Sequence, residues 1–378
     1  MPEVAPLALS QLTTLRTGGV PARMIDAHTA DELVDVLRET WASGEPWLVV
    51  GGGSNLFAGD DPFDGTVIRV RTTGVERLAS PRPGYARLRV QAGHDWDDLV
   101  AQSVAAGLSG IEGMSGIPGT VGAAPVQNVG AYGQEIEQTL VEVDLIDEGT
   151  GETATVTADE LGLGFRTSVL KEHYGSLAIR PAVIVSATFE LREVGPGAHT
   201  IRGDQLRGAL GLGIDEAVTV AWVRERVLDI RRSKGMVLDD ADPDTYSAGS
   251  FFQNAIVSAS FARTLPPECP RWPVGPDGDA VTVIALEDYD GVIATPVAAA
   301  PDVKVSAAWL IEHSGLRKGF RLPQSRAGLS SKHTLALTNR GGSSAAEIAE
   351  LARFIQGRVQ SEFGLLLQPE PVLVGVEL

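Results

Sequence analysis

The segment LSGIEGMSGIPGTVGAAPVQNVGAYG, residues 108–133, constrains the fold most. Seven of its 26 residues are glycine, and Pro118 and Pro125 stiffen the run. So little side chain cannot bury a face of its own, so the segment is neither a core helix nor a core strand. Two readings stand: a self-packed loop, or backbone laid against something flat or anionic. A second glycine loop precedes it. VVGGGSN (49–55) is a short apolar strand running straight into three glycines, with Ser54 and Asn55 as further donors. Such a loop lets backbone N–H groups ring a phosphate, or is simply a turn. It is not a Walker loop, because no Gly-Lys-Ser/Thr follows, and Leu56 stands where a dinucleotide fingerprint needs its third glycine.

The surrounding periodicities predict an α+β chain. Residues 31–41, 94–107, 215–234, 305–315 and 343–364 read as amphipathic helices, the last opened by a Ser344/Glu347 capping box and closed at Gly364. Residues 46–50, 66–71, 87–92, 141–147 and 182–191 read as strands, and PVLVGVEL closes the chain as another. Strands and helices do not alternate as in a doubly wound sheet. At 378 residues the chain exceeds the size of one core, and the Gly/Pro-rich stretch 195–213 is the expected domain boundary.

Charge narrows the function. With 49 acids against 31 bases the formal net charge is −18, which argues against nucleic acid or an anionic membrane as partner, since both need a basic face. Cys269 is the single cysteine, so no intramolecular disulfide forms. The first residues carry no basic-then-apolar leader, and no run is long and apolar enough to span a bilayer, so a cytoplasmic protein is expected. The histidines are scattered without ligand spacing, and no metal is expected. A monomer is expected.

Several side chains stand out as candidates. Ser250 lies in YSAGSFFQNAIV (246–257), between Gly249 and the pair Phe251 and Phe252. The rings imply a buried wall, and no Ser-His-Asp order surrounds the serine, so an acyl nucleophile is not the obvious role. Glu370, in LLLQPEPVLVG (365–375), is an acid between prolines within an apolar run. Arg166 lies in GFRTSVLK (164–171). Arg231, Arg232 and Lys234 end a helix, where cations also simply oppose the dipole. There are only five lysines, Lys171, Lys234, Lys304, Lys318 and Lys332, so each points mildly to a site wanting a compact cation.

Taken in order, TTLRTGG (13–19), VVGGGSN, SGIPGTVGAAPVQNVGAYGQEI (115–136), FRTSVLK, AGSFFQN and QPEP resemble the UDP-N-acetylenolpyruvoylglucosamine reductase family, and PVQNVGAYG looks like its first type. The resemblance runs over almost the whole chain. It implies an FAD-binding region over 1–200, built from two α+β subdomains (about 1–70 and 71–200) and similar to the vanillyl-alcohol-oxidase type. A substrate-binding α+β domain over 214–378 would follow it. It implies FAD as bound cofactor, NADPH as co-substrate and a UDP-sugar as substrate.

The resemblance also implies roles. Gly51, Gly52, Gly53, Ser54, Asn55, Ser115, Gly116, Ile117, Pro118, Gly119 and Gly122 match FAD-binding positions. Arg166, Ser250 and Glu370 match the catalytic positions, with Ser250 as proton donor. Tyr132, Lys234 and Asn254 match substrate-binding positions, and Lys318 is a further cation for the UDP diphosphate. Ser247, Gln253, Ala255 and Arg202 depart from the family pattern, and its mobile-loop tyrosine has no assigned counterpart in 270–303. Two competing readings share the flavin fold. A flavin-dependent sugar or alcohol oxidase often carries an attachment histidine where Ser54 and Asn55 stand here. A non-catalytic flavin protein would have no use for Arg166, Ser250 and Glu370 together.

Overall fold

The computed structural model describes residues 3–171, 177–274 and 302–378. The first region holds two sheets. One runs Glu3–Val4, Pro21–Ala27, Phe63–Val70 and Trp47–Val50 in spatial order, its last three strands parallel. Helix α1, Ala30–Ser43, makes the crossover between Pro21–Ala27 and Trp47–Val50. It starts at a capping box, with Thr29 accepting from Glu32 N, and stops at Gly44 in the left-handed region.

The other sheet is antiparallel, ordered Thr153–Thr157, Leu140–Asp147, Ala182–Glu193, Tyr85–Gln91 and Val75–Leu78. Helix α2, Trp96–Ala105, lies against it, with Trp96 edge-on to Phe189 at 5.9 Å. The two sheets share one core. Ile25 and Ile68 from the first, with Leu33 of α1, join Val90, Val143 and Phe189 from the second. Residues 108–133 hold no long element, only the two-residue strands Leu108–Ser109 and Gly130–Ala131 and the 3-10 turns Glu112–Met114 and Pro125–Gln127, yet Leu108, Ile111, Met114 and Val121 enter the core.

The expected break at 195–213 contains a short helix, α3 (Asp204–Leu210), between Gly203 and Gly211. The long helix expected from 215 begins instead at Val220. Ala217–Val218 pairs with His199–Thr200, and Thr219 accepts from Trp222 N as cap of α4 (Val220–Ser233). Ile201, Leu206, Val223 and Val227 form a small core of their own that Tyr132 packs against. Arg224 on α4 makes two bonds to Asp97 on α2, at 2.5 and 2.8 Å, so this helix leans on the region before it.

The C-terminal region has a three-stranded sheet, ordered Ala255–Val257, Asp302–Val305 and Arg271–Val274, beside the short α5 (Ala259–Ala262). Helix α6 (Ala307–His313), the pair Ala327–Leu329 and Leu337–Asn339, and α7 (Ala345–Phe363) complete it. Of the segment 270–303, only its two end strands are described; residues 275–301 lie outside the described residues. The core here takes in Leu15 and Phe57 from the start of the chain. The last strand, Val372–Val374, runs back to pair in parallel with Leu56–Ala58, immediately after the first glycine loop. That return positions the site. No described helix is long and apolar enough to cross a membrane.

Candidate active site

The two glycine loops are packed into each other. A Cβ on Gly51 would sit 2.3 Å from Thr120 Oγ1, and one on Gly52 would sit 2.6 Å from the Cα of Gly119. Gly53 has φ +60°, and its Cβ would meet the Leu12 carbonyl oxygen at 2.0 Å. Ser54 Oγ donates to the Pro118 carbonyl at 2.7 Å. Part of the glycine requirement is therefore close approach of backbone to backbone, not only of backbone to ligand.

Between these loops lies a cavity of about 460 Å³. All the expected cofactor residues line it except Ser115 and Gly116. Val49, Val50, Trp96, Val126, Val129 and Ile184 supply apolar wall. Among the described residues, the N–H groups of Gly52, Gly53, Ser54 and Asn55 find no protein acceptor. A flat apolar slot edged by free N–H donors suits a flavin ring with a diphosphate tail, so these residues fit FAD.

Ser115 and Gly116 do not line this cavity and make contacts outside it. Ser115 is fully buried and its Oγ donates to the Glu112 carbonyl at 2.6 Å. Gly116 N donates to Asp97 Oδ1 at 2.6 Å, and its carbonyl accepts from Arg231 at 3.3 Å. Gly116 thereby anchors the loop to α2 and α4, and Ser115 closes the turn Glu112–Met114. Burial pushes the Asp97 carboxyl up, but the bonds from Arg224 and Gly116 outweigh it and hold the pKa below the usual value.

Arg166, Ser250 and Glu370 come from three separate segments. The Ser250 segment and QPEP pair as short antiparallel backbone: Phe252 faces Pro369, Gln253 N donates to the Gln368 carbonyl at 3.0 Å, and Glu370 N donates to the Phe251 carbonyl at 2.9 Å. Phe251 and Phe252 are fully buried, edge-on to each other at 5.2 Å, with Phe57 packed on Phe251 at 5.7 Å. The wall expected behind Ser250 is there.

Arg166 Nε lies 3.0 Å from Glu370 Oε1, a charge contact with its N–H off the line of the carboxylate. Its Nη1 and Nη2 donate to the carbonyls of Asn128 and Gly130, at 3.3 and 3.0 Å. Arg166 has φ +56°, a costly conformation for a long side chain, held by the short Gly164–Thr167 bridge.

Two of the expected substrate cations, Lys234 and Lys318, lie close enough to His333 to shift its titration. Lys234, the residue ending α4, has its Nζ 5.6 Å from the Tyr132 ring. Burial raises the Tyr132 phenol pKa, and Arg231 opposes it. Lys234, Lys318 and Arg231 all face His333. Burial first, then these three cations, push its pKa down to about 4, with Glu312 opposing. Asn254 is engaged by the fold: its Oδ1 accepts the Ala307 N–H at the start of α6, at 3.0 Å.

Four further residues of the site have no role assigned from the sequence. Thr14 donates its hydroxyl to the Ser247 carbonyl at 2.7 Å and its N–H to the Gly53 carbonyl at 3.3 Å, tying the first glycine loop to the Ser250 segment. Gln127 accepts from Asn55 Nδ2 at 2.6 Å. Lys171 donates to the Glu370 carbonyl at 2.7 Å. His333 is the fourth. The scarcity of lysine singled out Lys171; no local pattern marks the other three.

Comparison with known proteins fits this geometry. Residues 21–157 match the family model described as an FAD binding domain, and residues 242–374 match the one described as the C-terminal domain of UDP-N-acetylenolpyruvoylglucosamine reductase. The chain is 52% identical over 382 residues to the UDP-N-acetylenolpyruvoylglucosamine reductase of Leifsonia xyli subsp. xyli, covering 99% of each. It is 46% identical over 371 residues to that of Nocardia farcinica, covering 98% of this chain and 89% of the relative. The crystal structure of the reductase from Thermus caldophilus shares the fold, with a TM-score of 0.60 at 24% identity and 98% of each chain covered. An FAD-binding domain joined to that C-terminal domain makes the chain an FAD-dependent oxidoreductase. On these grounds it belongs to the UDP-N-acetylenolpyruvoylglucosamine reductase family.

Proposed function

We propose that this chain reduces UDP-N-acetylglucosamine enolpyruvate to UDP-N-acetylmuramate at the expense of NADPH, a step in building the peptidoglycan precursor in the cytoplasm. The observation that carries the reading is the meeting of Arg166, Glu370 and the Ser250 segment, with the Glu370 carbonyl held by Asn55 and Lys171 of the glycine-loop cavity. In this reading residues 1–200 hold FAD and 214–378 supply most of the sugar site.

FAD, when bound, supplies the hydride that NADPH has delivered to it. The enolpyruvyl double bond is a poor acceptor because its carboxylate is already anionic. Hydride addition at C3 pushes a second negative charge onto C2 and that carboxylate. Arg166 is preorganised to meet the charge as it develops, its guanidinium braced by two carbonyls and needing no reorganisation. Glu370, when protonated, donates a hydrogen bond to the same carboxylate.

Ser250 then gives a proton to C2. A hydroxyl is a weak acid, but the dianion is a strong base, and the buried Phe251 and Phe252 keep the donor fixed and dry. Ser250 thus acts as general acid and not as acyl nucleophile. Lys234 and Lys318 neutralise the UDP diphosphate, and their charge helps hold His333 neutral. The test is to incubate the enzyme with NADPH and the enolpyruvyl sugar and weigh the product. A gain of two hydrogens with a lactyl ether supports the reading; unchanged sugar contradicts it.

A further inference from the structure

We propose that Lys171 is the cation of the cofactor cavity, setting the electron affinity of bound FAD while its ammonium also holds the carbonyl of Glu370. This deepens the reading above and rests on FAD occupying that cavity. Lys171 lines the cavity, and among the described residues no other charged side chain does. Arg166 stands nearby but is turned to the carbonyls of Asn128 and Gly130 and to Glu370.

An ammonium has three N–H donors and no acceptor. Lys171 directs one to the Glu370 carbonyl at 2.7 Å and one to Gln127 Oε1 at 3.1 Å. No acceptor for the third is found among the described residues, and the cavity is the space it borders. Bridging alone does not call for a charge here. Asn55 Nδ2 already reaches both groups, Gln127 Oε1 at 2.6 Å and the Glu370 carbonyl at 3.3 Å.

Burial lowers the Lys171 pKa, Glu370 opposes this and Arg166 adds to it. The charge is thus poorly solvated and strongly felt by whatever fills the cavity. A ring that accepts a hydride gains negative charge, and a cation at its edge favours that state. The same side chain holds the backbone of Glu370, so charge at the cofactor and placement of the acid are linked through one ammonium.

The experiment is a redox titration of FAD in the holoenzyme, without sugar substrate, for wild type, Lys171→Met and Lys171→Arg. Lys171→Met is expected to lose on the order of tenfold in its preference for reduced over oxidised FAD, about 30 mV downward for a two-electron couple. Lys171→Arg should stay near wild type. A Lys171→Met midpoint equal to wild type overturns the proposal. Should that variant not retain FAD, Lys171→Gln, which keeps a donor for the Glu370 carbonyl without the charge, is titrated instead, and an unchanged midpoint again overturns it. Because no sugar is present, this result is separate from whether the enolpyruvyl group is reduced.

Discussion

The backbone N–H of Glu370 donates to the carbonyl of Phe251 at 2.9 Å, which fixes the late acid beside the Ser250 segment across 119 residues of chain. The pairing extends over Gln253 and Gln368 and is backed by the parallel contact of Val372–Val374 with Leu56–Ala58. Acid, serine and first glycine loop are therefore one backbone assembly. A side chain changed at Ser250 or Glu370 should alter chemistry without unfolding the assembly.

Glu370 separates the roles of charge and donor. Glu370→Gln presents a permanent hydrogen-bond donor in place of the carboxyl and carries no charge facing Arg166. It should retain far more kcat than Glu370→Ala, which is expected to lose about 10²–10³-fold, the scale of one lost transition-state donor. Equal loss in the two variants, measured by steady-state kinetics, would show that the carboxyl does not act as a donor.

Gly52→Ala tests the loop contact. Its Cβ would lie 2.6 Å from the Gly119 Cα, a backbone atom with no flexible end to yield. Overpacking of this kind costs about 1–3 kcal/mol. The loops should part and the purified variant should carry less FAD per chain by absorbance, with a lowered Tm. Full FAD occupancy at wild-type Tm would mean the loops adjust freely.

Lys234→Ala and Lys318→Ala should each raise KM for the UDP-sugar more than they lower kcat. A charge-assisted bond to phosphate is worth about 1.5–3 kcal/mol, so a rise of roughly ten- to hundredfold is expected. A variant with unchanged KM would remove that lysine from the diphosphate site.

His333 links stability to pH. Its folded pKa of about 4 lies below the ordinary 6.5, so the fold holds it neutral. Between those values the unfolded chain binds a proton that the native chain refuses, so stability falls as pH drops from 6.5 towards 4 and levels below. At 1.36 kcal/mol per pH unit the loss from this group is at most about 3 kcal/mol. Urea unfolding at pH 7 and pH 4.5 should show a smaller loss for His333→Gln than for wild type. Equal losses would contradict the assignment.

The helices were legible wherever caps and periodicity agreed, as at Ser344, Glu347 and Gly364 around α7. Periodicity alone misplaced the start of α4, because it does not register that Thr219 caps and that Ala217–Val218 pairs as strand. The glycine loops were legible as loops, but not that Gly51 and Gly52 face the second loop while Gly116 faces α2 and α4. Contacts such as Thr14 with Ser247 join residues 233 apart, and no local pattern encodes them. Asn254 was read as touching substrate, whereas its carbonyl also closes the N-terminus of α6, which its neighbours in sequence do not reveal.

The measurement that tests the central claim most directly is an anaerobic double-mixing trace of the flavin absorbance, in wild type and Ser250→Ala. NADPH is added first, then UDP-N-acetylglucosamine enolpyruvate. Wild type should bleach and then recolour. Ser250→Ala should bleach at the wild-type rate but recolour about 10²–10⁴-fold more slowly, the range for a lost general acid. Recolouring of Ser250→Ala at the wild-type rate would remove the serine from the chemistry, and a wild-type enzyme that bleaches without recolouring would contradict the substrate itself.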